Sequence, residues 1–274
     1  MKLPIAIQLY SVRDQLETDY FKTLVALKQM SYDGVELPGL NGLSGKEVKK
    51  MADDAGLQII SAHVPFIDML EDPDGTFREY KKTGCSYIVV PSLPRERRPD
   101  GELFEKTIGE IRRLGKIARG YGISLLYHNH DFEFTRINGK YALDILYETV
   151  PPEYLGVELD TCWVKVAGED PVRYLKKYAG RSDLVHLKDF WMEGELTEPP
   201  YELIGRDGTK IEKPERLPFS FRPVGHGMQD FPSIIRAAVE IGSKWLIVEQ
   251  DRSDERPTLE AANMSVQYLR QLKI

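Results

Sequence analysis

Eight short runs rich in Val, Ile and Leu recur along the chain, at 4–10, 33–37, 58–64, 86–91, 123–129, 154–160, 183–188 and 245–250. Their interiors are nearly continuous in apolar character, which suits strands buried on both faces of a parallel sheet. Helical patterns lie between them. Residues 18–30 place Phe21, Leu24, Val25 and Leu27 at helical spacing. Residues 44–56 open on Ser44 with Glu47 three positions on, the spacing of a capping box, and close at Gly56. Residues 101–119 carry Phe104, Ile108, Ile111 and Leu114; residues 230–241 begin at Asp230 with Pro232 in the first turn; residues 257–272 form a last helix. Strand and helix alternating over 274 residues predict an α/β fold, a single (β/α)8 TIM barrel spanning 1–274. A doubly wound open sheet is the competing layout, but it normally carries a Gly-rich phosphate turn after the first strand. Here that strand runs into Gln8-Leu9-Tyr10-Ser11-Val12-Arg13.

One segment breaks the alternation. Residues 190–229, with Pro199, Pro200, Pro214, Pro218 and Pro223, separate strand seven from the next helix and read as a long loop insertion. Long loops at that face of a barrel serve the site as lids or partner contacts.

Composition bounds the function. Hydrophobic residues make up 42% and charged residues 29%, an ordinary globular balance with enough apolar material for a core. The net charge of −6 argues against a nucleic-acid backbone as the main partner, since phosphate binding needs a basic surface. Cys85 and Cys162 form no Cys-x-x-Cys motif and read as buried thiols in a reducing compartment. No run approaches 18 apolar residues, and the opening Met-Lys-Leu-Pro-Ile-Ala-Ile-Gln is too poor in apolar residues for a signal peptide. The expectation is a soluble cytoplasmic protein with no membrane partner.

Four of the five histidines sit at the exits of the apolar runs: His63, His128, His130 and His186. Two acidic pairs sit the same way, Glu158 with Asp160 and Glu249 with Asp251. Residues two apart on a strand share a face, so His128 and His130, Glu158 and Asp160, His186 and Lys188, and Glu249 and Asp251 each point one way. In a barrel these groups converge on the C-terminal mouth, where active sites lie. A single strand-end His is more often a hydrogen-bonded structural residue, and a single Asp at a strand exit is more often a helix N-cap. The pattern shared by four strands favours convergence on a metal. Mixed His and carboxylate ligands suit Mn²⁺, Zn²⁺, Co²⁺ or Fe²⁺. Such an ion polarises a carbonyl, while nearby carboxylates and Lys188 move protons.

The motifs His-Leu-Lys-Asp at 186–189, Glu-Leu-Asp-Thr-Cys-Trp at 158–163, Tyr-His-Asn-His-Asp-Phe-Glu-Phe at 127–134, Val-Gly-His-Gly-Met-Gln-Asp-Phe at 224–231 and Val-Glu-Gln-Asp at 248–251 carry a resemblance. Together they resemble the sugar phosphate isomerase/epimerase family, within the xylose-isomerase-like TIM barrel superfamily that also holds inosose dehydratases and endonuclease IV. The match runs from Gln-Leu-Tyr-Ser at 8–11 to the last helix. It implies one divalent metal ion held by His128, Asp160, His186 and Glu249. It also implies substrate-facing roles for His63, His130, Glu158 and Lys188, with Glu36 and Trp163 as further candidates for the pocket. Ketose 3-epimerases of the superfamily carry Glu as the strand-five ligand and pair it with the strand-eight Glu as acid and base. Here that position is His128, so the Tyr-His-Asn-His form is more similar to the inosose-dehydratase-like branch.

The expected activity is a metal-dependent isomerase or epimerase acting on a sugar, keto-sugar or cyclitol by enolisation beside a carbonyl. A dehydratase or lyase using the same first step is the alternative. Glu158, His130, Lys188 and Glu249 are the proton-transfer candidates, and His63, Glu36 and Trp163 the substrate contacts. An endonuclease-IV-like nuclease and a non-catalytic sugar-binding barrel are remote readings. The loop at 224–228 is a candidate anion contact but reads better as a turn beside the site, and Arg95, Arg97 and Arg98 read better as a solvated charge run than as a phosphate clamp. The oligomeric state stays open, a homo-oligomer included.

Overall fold

A computed structural model describes residues 3–194 and 219–272. Eight strands close into a parallel barrel in sequence order: β1 (Ile5–Gln8), β2 (Gly34–Leu37), β3 (Gln58–His63), β4 (Tyr87–Val90), β5 (Ser124–His128), β6 (Gly156–Asp160), β7 (Leu184–Leu187) and β8 (Trp245–Val248). β1 pairs with β8 and closes the ring. Each strand falls inside one of the eight apolar runs, and the barrel expectation holds.

Alternation along the strands sorts the two faces. Ile5, Ile7, Val35, Leu37, Leu125 and Val185 point outward into the core shared with the helices. Ala6, Ile60, Val89, Leu126, Leu184 and Ile247 point inward and form an apolar plug across the lower barrel, with Tyr87 and Trp245 against it. Burying each of its larger side chains contributes about 1.5–3 kcal/mol, and the plug seals the floor beneath the polar positions that follow. Two residues after Ala6, Leu126, Leu184 and Ile247 come Gln8, His128, His186 and Glu249, joined by Glu36 and Glu158, all buried.

β3 departs from simple alternation. Val35 lies opposite Ile59, but the next partner of β2, Glu36, lies opposite Ser61. Ile60 is the extra residue of a bulge, which re-aims the strand. The bulge lets Ile60 join the plug while Ser61 and His63 both reach the polar layer.

The helices start and stop where their caps dictate. Ser44 and Glu47 form the expected capping box on Gly45–Ala55, and Gly56 ends that helix with φ of 76°. Asp19 caps Tyr20–Gln29, two residues later than the 18–30 pattern predicts, because Arg13–Thr18 already forms a separate turn. Asp230 caps Phe231–Glu240. Helices Pro73–Lys81 and Pro171–Lys177 escaped the periodicity reading because they are short, yet Asp72-Pro73 and Asp170-Pro171 announce both with an N-cap and a first-turn proline. The 190–229 insertion is not all loop. Asp189–Met192 pairs antiparallel with Phe219–Arg222, and residues 195–218 lie outside the described residues. Among the described residues, no helix is long and apolar enough to cross a membrane.

The helix Phe104–Gly120 is pressed onto the barrel through a glycine. A Cβ on Gly115 would sit 1.9 Å from the Tyr154 carbonyl oxygen, whereas one on Gly109 would meet nothing within 4 Å. Gly115→Ala is expected to destabilise the protein by about 1–3 kcal/mol in denaturant unfolding. Gly109→Ala on the same helix is expected to stabilise it by up to ~1 kcal/mol. Shifts of the same sign would contradict this packing.

Candidate metal centre and active site

The polar upper half of the barrel holds two compartments that share a wall of histidines. The lower one is built on Glu36 at the end of β2, whose Oε1 accepts from Ser61 Oγ at 2.6 Å. Its Oε2 accepts from Gln8 Nε2 at 2.9 Å and His186 Nε2 at 2.7 Å, and lies 3.1 Å from His63 Nε2. Glu158 stands beside it. Its Oε2 lies 2.7 Å from His63 Nε2, 3.1 Å from His128 Nδ1 and 3.2 Å from His186 Nε2. Its Oε1 is buried and has no hydrogen-bond partner among the described residues.

The upper compartment uses the opposite ring nitrogens. His128 Nε2 is 3.5 Å from Asp160 Oδ2, and His186 Nδ1 is 3.0 Å from Glu249 Oε2. Ligand atoms of His128, Asp160, His186 and Glu249 all lie within 4.8 Å of one another, and all four residues are buried. This set fits a divalent cation, with two imidazoles and two carboxylates on four different strands. A second set, His63, His128, Glu158 and His186, meets the same distance limit. Lys188 Nζ sits 3.0 Å from Asp160 Oδ2, 2.8 Å from Glu249 Oε2 and 3.0 Å from Asp251 Oδ2. The structure thus brings together every metal candidate read from the sequence, along with Glu36, His63, Glu158 and Lys188.

Asp160 plays both roles that a strand-exit Asp offers. Oδ1 accepts from Cys162 N at 2.8 Å and Trp163 N at 3.3 Å, capping the helix Thr161–Val166, while Oδ2 faces Lys188. His130 and Trp163 form the flank. The His130 ring stacks on Phe132 with centroids 5.2 Å apart, and Trp163 lies 5.6 Å from His130. Lys188 Nζ is 5.3 Å from the Trp163 ring centroid and 5.8 Å from that of Phe221, which the 189–192/219–222 hairpin supplies. Trp163 is therefore wall, enclosed between the ammonium and the hairpin.

Burial and charge set the protonation states. Burial alone would lower the Lys188 pKa, but Asp160, Asp251 and Glu249 outweigh it and hold the side chain as an ammonium. Burial raises the Glu158 pKa and the charge of Glu36 raises it further, against the opposing pull of His186 and His63. Burial would lower the His63 pKa, but Glu36 and Glu158 drive it up to about 9.

Several site-supporting residues were not read from the sequence. Asn129 points away from the cavity and clamps β5 to β6, accepting from Asp160 N at 2.9 Å and donating to Asp160 O at 3.3 Å. Glu133 accepts from Tyr127 Oη at 2.5 Å and from His130 N at 2.7 Å, which fixes the chain as it leaves β5. Asp189 accepts from Gly225 N, Gly227 N, Gln229 N and Phe190 N at 2.8–3.2 Å. In the loop at 224–228, a candidate anion contact, the Gly225 and Gly227 amides are thereby filled by the chain's own carboxylate. The solvated-run reading of the arginines fails at two positions. Arg97 pairs with Glu110 at 2.5 Å, and Arg98 is buried, donating to Leu93 O at 3.0 Å beneath the Phe132 ring.

Comparison with known proteins identifies the family. The family model described as xylose isomerase-like TIM barrel matches residues 24–272. The chain belongs to that family. An inosose dehydratase from Geobacillus kaustophilus is 25% identical over 277 residues, covering 92% of this chain and 86% of the relative. A sugar phosphate isomerase/epimerase from Parabacteroides distasonis superposes with a TM-score of 0.77 at 25% identity, covering 98% of this chain and 93% of that one. A probable 3-DHS dehydratase from Bacillus anthracis shares the fold, with a TM-score of 0.71 at 16% identity and 99% of each chain covered. The likenesses place the chain in an enzyme family, and they back the dehydratase alternative better than the isomerase reading.

Glu133 makes the supporting shell pH-dependent. Burial pushes its pKa up to about 8, against the hydrogen bonds from Tyr127 and the His130 amide, with Asp131 adding repulsion. A carboxyl whose pKa is raised on folding takes up a proton as the chain folds, so its contribution is full below the unfolded value and fades as pH rises toward 8. Glu133→Gln, which cannot titrate, is expected to lose less stability than the wild type between about pH 5 and pH 8 in denaturant unfolding. Parallel pH profiles would contradict the assignment.

Proposed function

We propose that the protein is a divalent-metal-dependent dehydratase acting on an unphosphorylated polyhydroxy ketone, a keto-sugar or a cyclitol ketone. The carrying observation is the pairing of two unlike proton-transfer groups beside the four-ligand seat. Glu158 offers a buried carboxylate oxygen with no partner among the described residues, and Lys188 offers an ammonium. His128, Asp160, His186 and Glu249 would hold the ion, which supplies Lewis acidity beside a substrate carbonyl. Glu158 Oε1 takes the proton from the carbon next to that carbonyl, and its raised pKa makes it a stronger base than an ordinary carboxylate. Lys188 Nζ donates to the departing β-hydroxyl, leaving as water. The aromatic wall of Trp163 and Phe221 excludes bulk solvent from the ammonium.

The same observations weigh against epimerisation. Returning a proton to the opposite face needs a second group of similar basicity, and the strand-five position holds His128, which is buried and kept neutral by burial and by the neighbouring His186. The Asp189 carboxylate supports a substrate without phosphate, since it already takes the Gly225, Gly227 and Gln229 amides.

The test is a panel of inososes, keto-sugars and ketoses with Mn²⁺ or Co²⁺, followed by loss of water and by proton NMR in D₂O. Glu158→Gln is expected to lose both α-proton exchange and elimination by roughly 10²–10⁴-fold. Lys188→Met is expected to keep exchange and lose elimination. Exchange yielding an epimer without water loss would replace this reading with the isomerase one.

A further inference from the structure

We infer that Glu36 is a positioning residue that selects the nitrogen with which His186 meets the cation. The inference rests on the metal reading of the four-ligand seat and concerns a residue outside that seat. Glu36 is fully buried at the end of β2, and its two oxygens are taken up by protein groups: Ser61 Oγ, Gln8 Nε2, His186 Nε2 and, at 3.1 Å, His63 Nε2. A carboxylate so enclosed has no room to touch a substrate. What it does touch is decisive for His186. A carboxylate only accepts, so His186 Nε2, 2.7 Å from Glu36 Oε2 and 3.2 Å from Glu158 Oε2, must carry a proton. Nδ1, 3.0 Å from Glu249 Oε2, also carries a proton in the cation-free ring; a cation seated with Glu249 replaces that proton, while the one on Nε2 stays held between Glu36 and Glu158.

The arrangement decides between the two candidate seats. The upper set meets His186 at Nδ1, whose carboxylate neighbour Glu249 belongs to that set, whereas Nε2 is engaged at 2.7 Å by Glu36, which belongs to neither set. Glu36 therefore holds the ring in one orientation, retains the Nε2 proton when a cation displaces the one on Nδ1, and raises the basicity of Nδ1, the effect a carboxylate exerts on a metal-ligating histidine from its far side. Ser61 and Gln8 in turn hold Glu36. Ser61 reaches it through the β3 bulge, which gives that irregularity a purpose in the site.

The experiment uses the full chain with Zn²⁺ as the probe. Chelator competition gives the affinity, and ¹⁵N NMR of the imidazoles reports which His186 nitrogen is protonated. The wild type is expected to show Nε2–H with Zn²⁺ on Nδ1. Glu36→Gln, close in shape but uncharged, is expected to bind Zn²⁺ about 10–100-fold more weakly while keeping its near-UV circular dichroism. Ser61→Ala, which removes one bond to Glu36 but no charge, is expected to change affinity far less and checks for a merely structural effect. If Glu36→Gln binds as tightly as the wild type, or if Zn²⁺ sits on Nε2, the inference is overturned while the metal reading stands. If the wild type binds no Zn²⁺, both fall.

Discussion

Five carboxylates, those of Glu36, Glu158, Asp160, Glu249 and Asp251, are buried in the upper half of the barrel, and the last three share one ammonium, that of Lys188. Charges removed from water at this density persist only if they are paired, hydrogen-bonded or neutralised by a cation. The rest of the structure follows from that requirement. The histidines face the carboxylates on both sides, Asp160 spends one oxygen on a helix N-terminus, and Glu36 collects Ser61 Oγ, Gln8 Nε2 and His186 Nε2. These contacts leave His128, Asp160, His186 and Glu249 grouped closely enough to hold a metal ion.

The fold makes such a cluster affordable by keeping it off water on both sides. Below, the plug of Ala6, Ile60, Val89, Leu126, Leu184 and Ile247 closes the barrel floor. Beside it, the hairpin packs Phe219 and Phe221 onto Trp163, against which Lys188 rests. Asn129, Glu133 and Asp189 hold the strand exits and the 224–229 loop in place without entering the cavity.

Much of this was legible in the chain. The eight apolar runs become the eight strands, and His128, Asp160, His186 and Glu249 meet because residues at corresponding strand ends on the inner face must meet in a barrel. Depth was not legible. Alternation puts Glu36 and Glu249 on the same inner face, but only the three-dimensional layering shows that one lies beneath the histidines and the other beside the cation seat. The β3 bulge was hidden because it breaks the period on which the reading depends. Asp189 and Arg98 were missed because their partners carry no local signature: Asp189 binds amides 36 to 40 residues further on, and Arg98 rests beneath a ring from the next strand's loop.

The central claim is that the strand-end donors form one cation seat on the upper side of the histidines. Anomalous diffraction from crystals grown with Mn²⁺ tests it most directly. The account predicts one peak per chain, coordinated by His128 Nε2, Asp160 Oδ2, His186 Nδ1 and Glu249 Oε2, with Glu36 and Glu158 still bonded to the far sides of the rings. A peak on the Glu158 and His63 side, or none at saturating Mn²⁺, would contradict it.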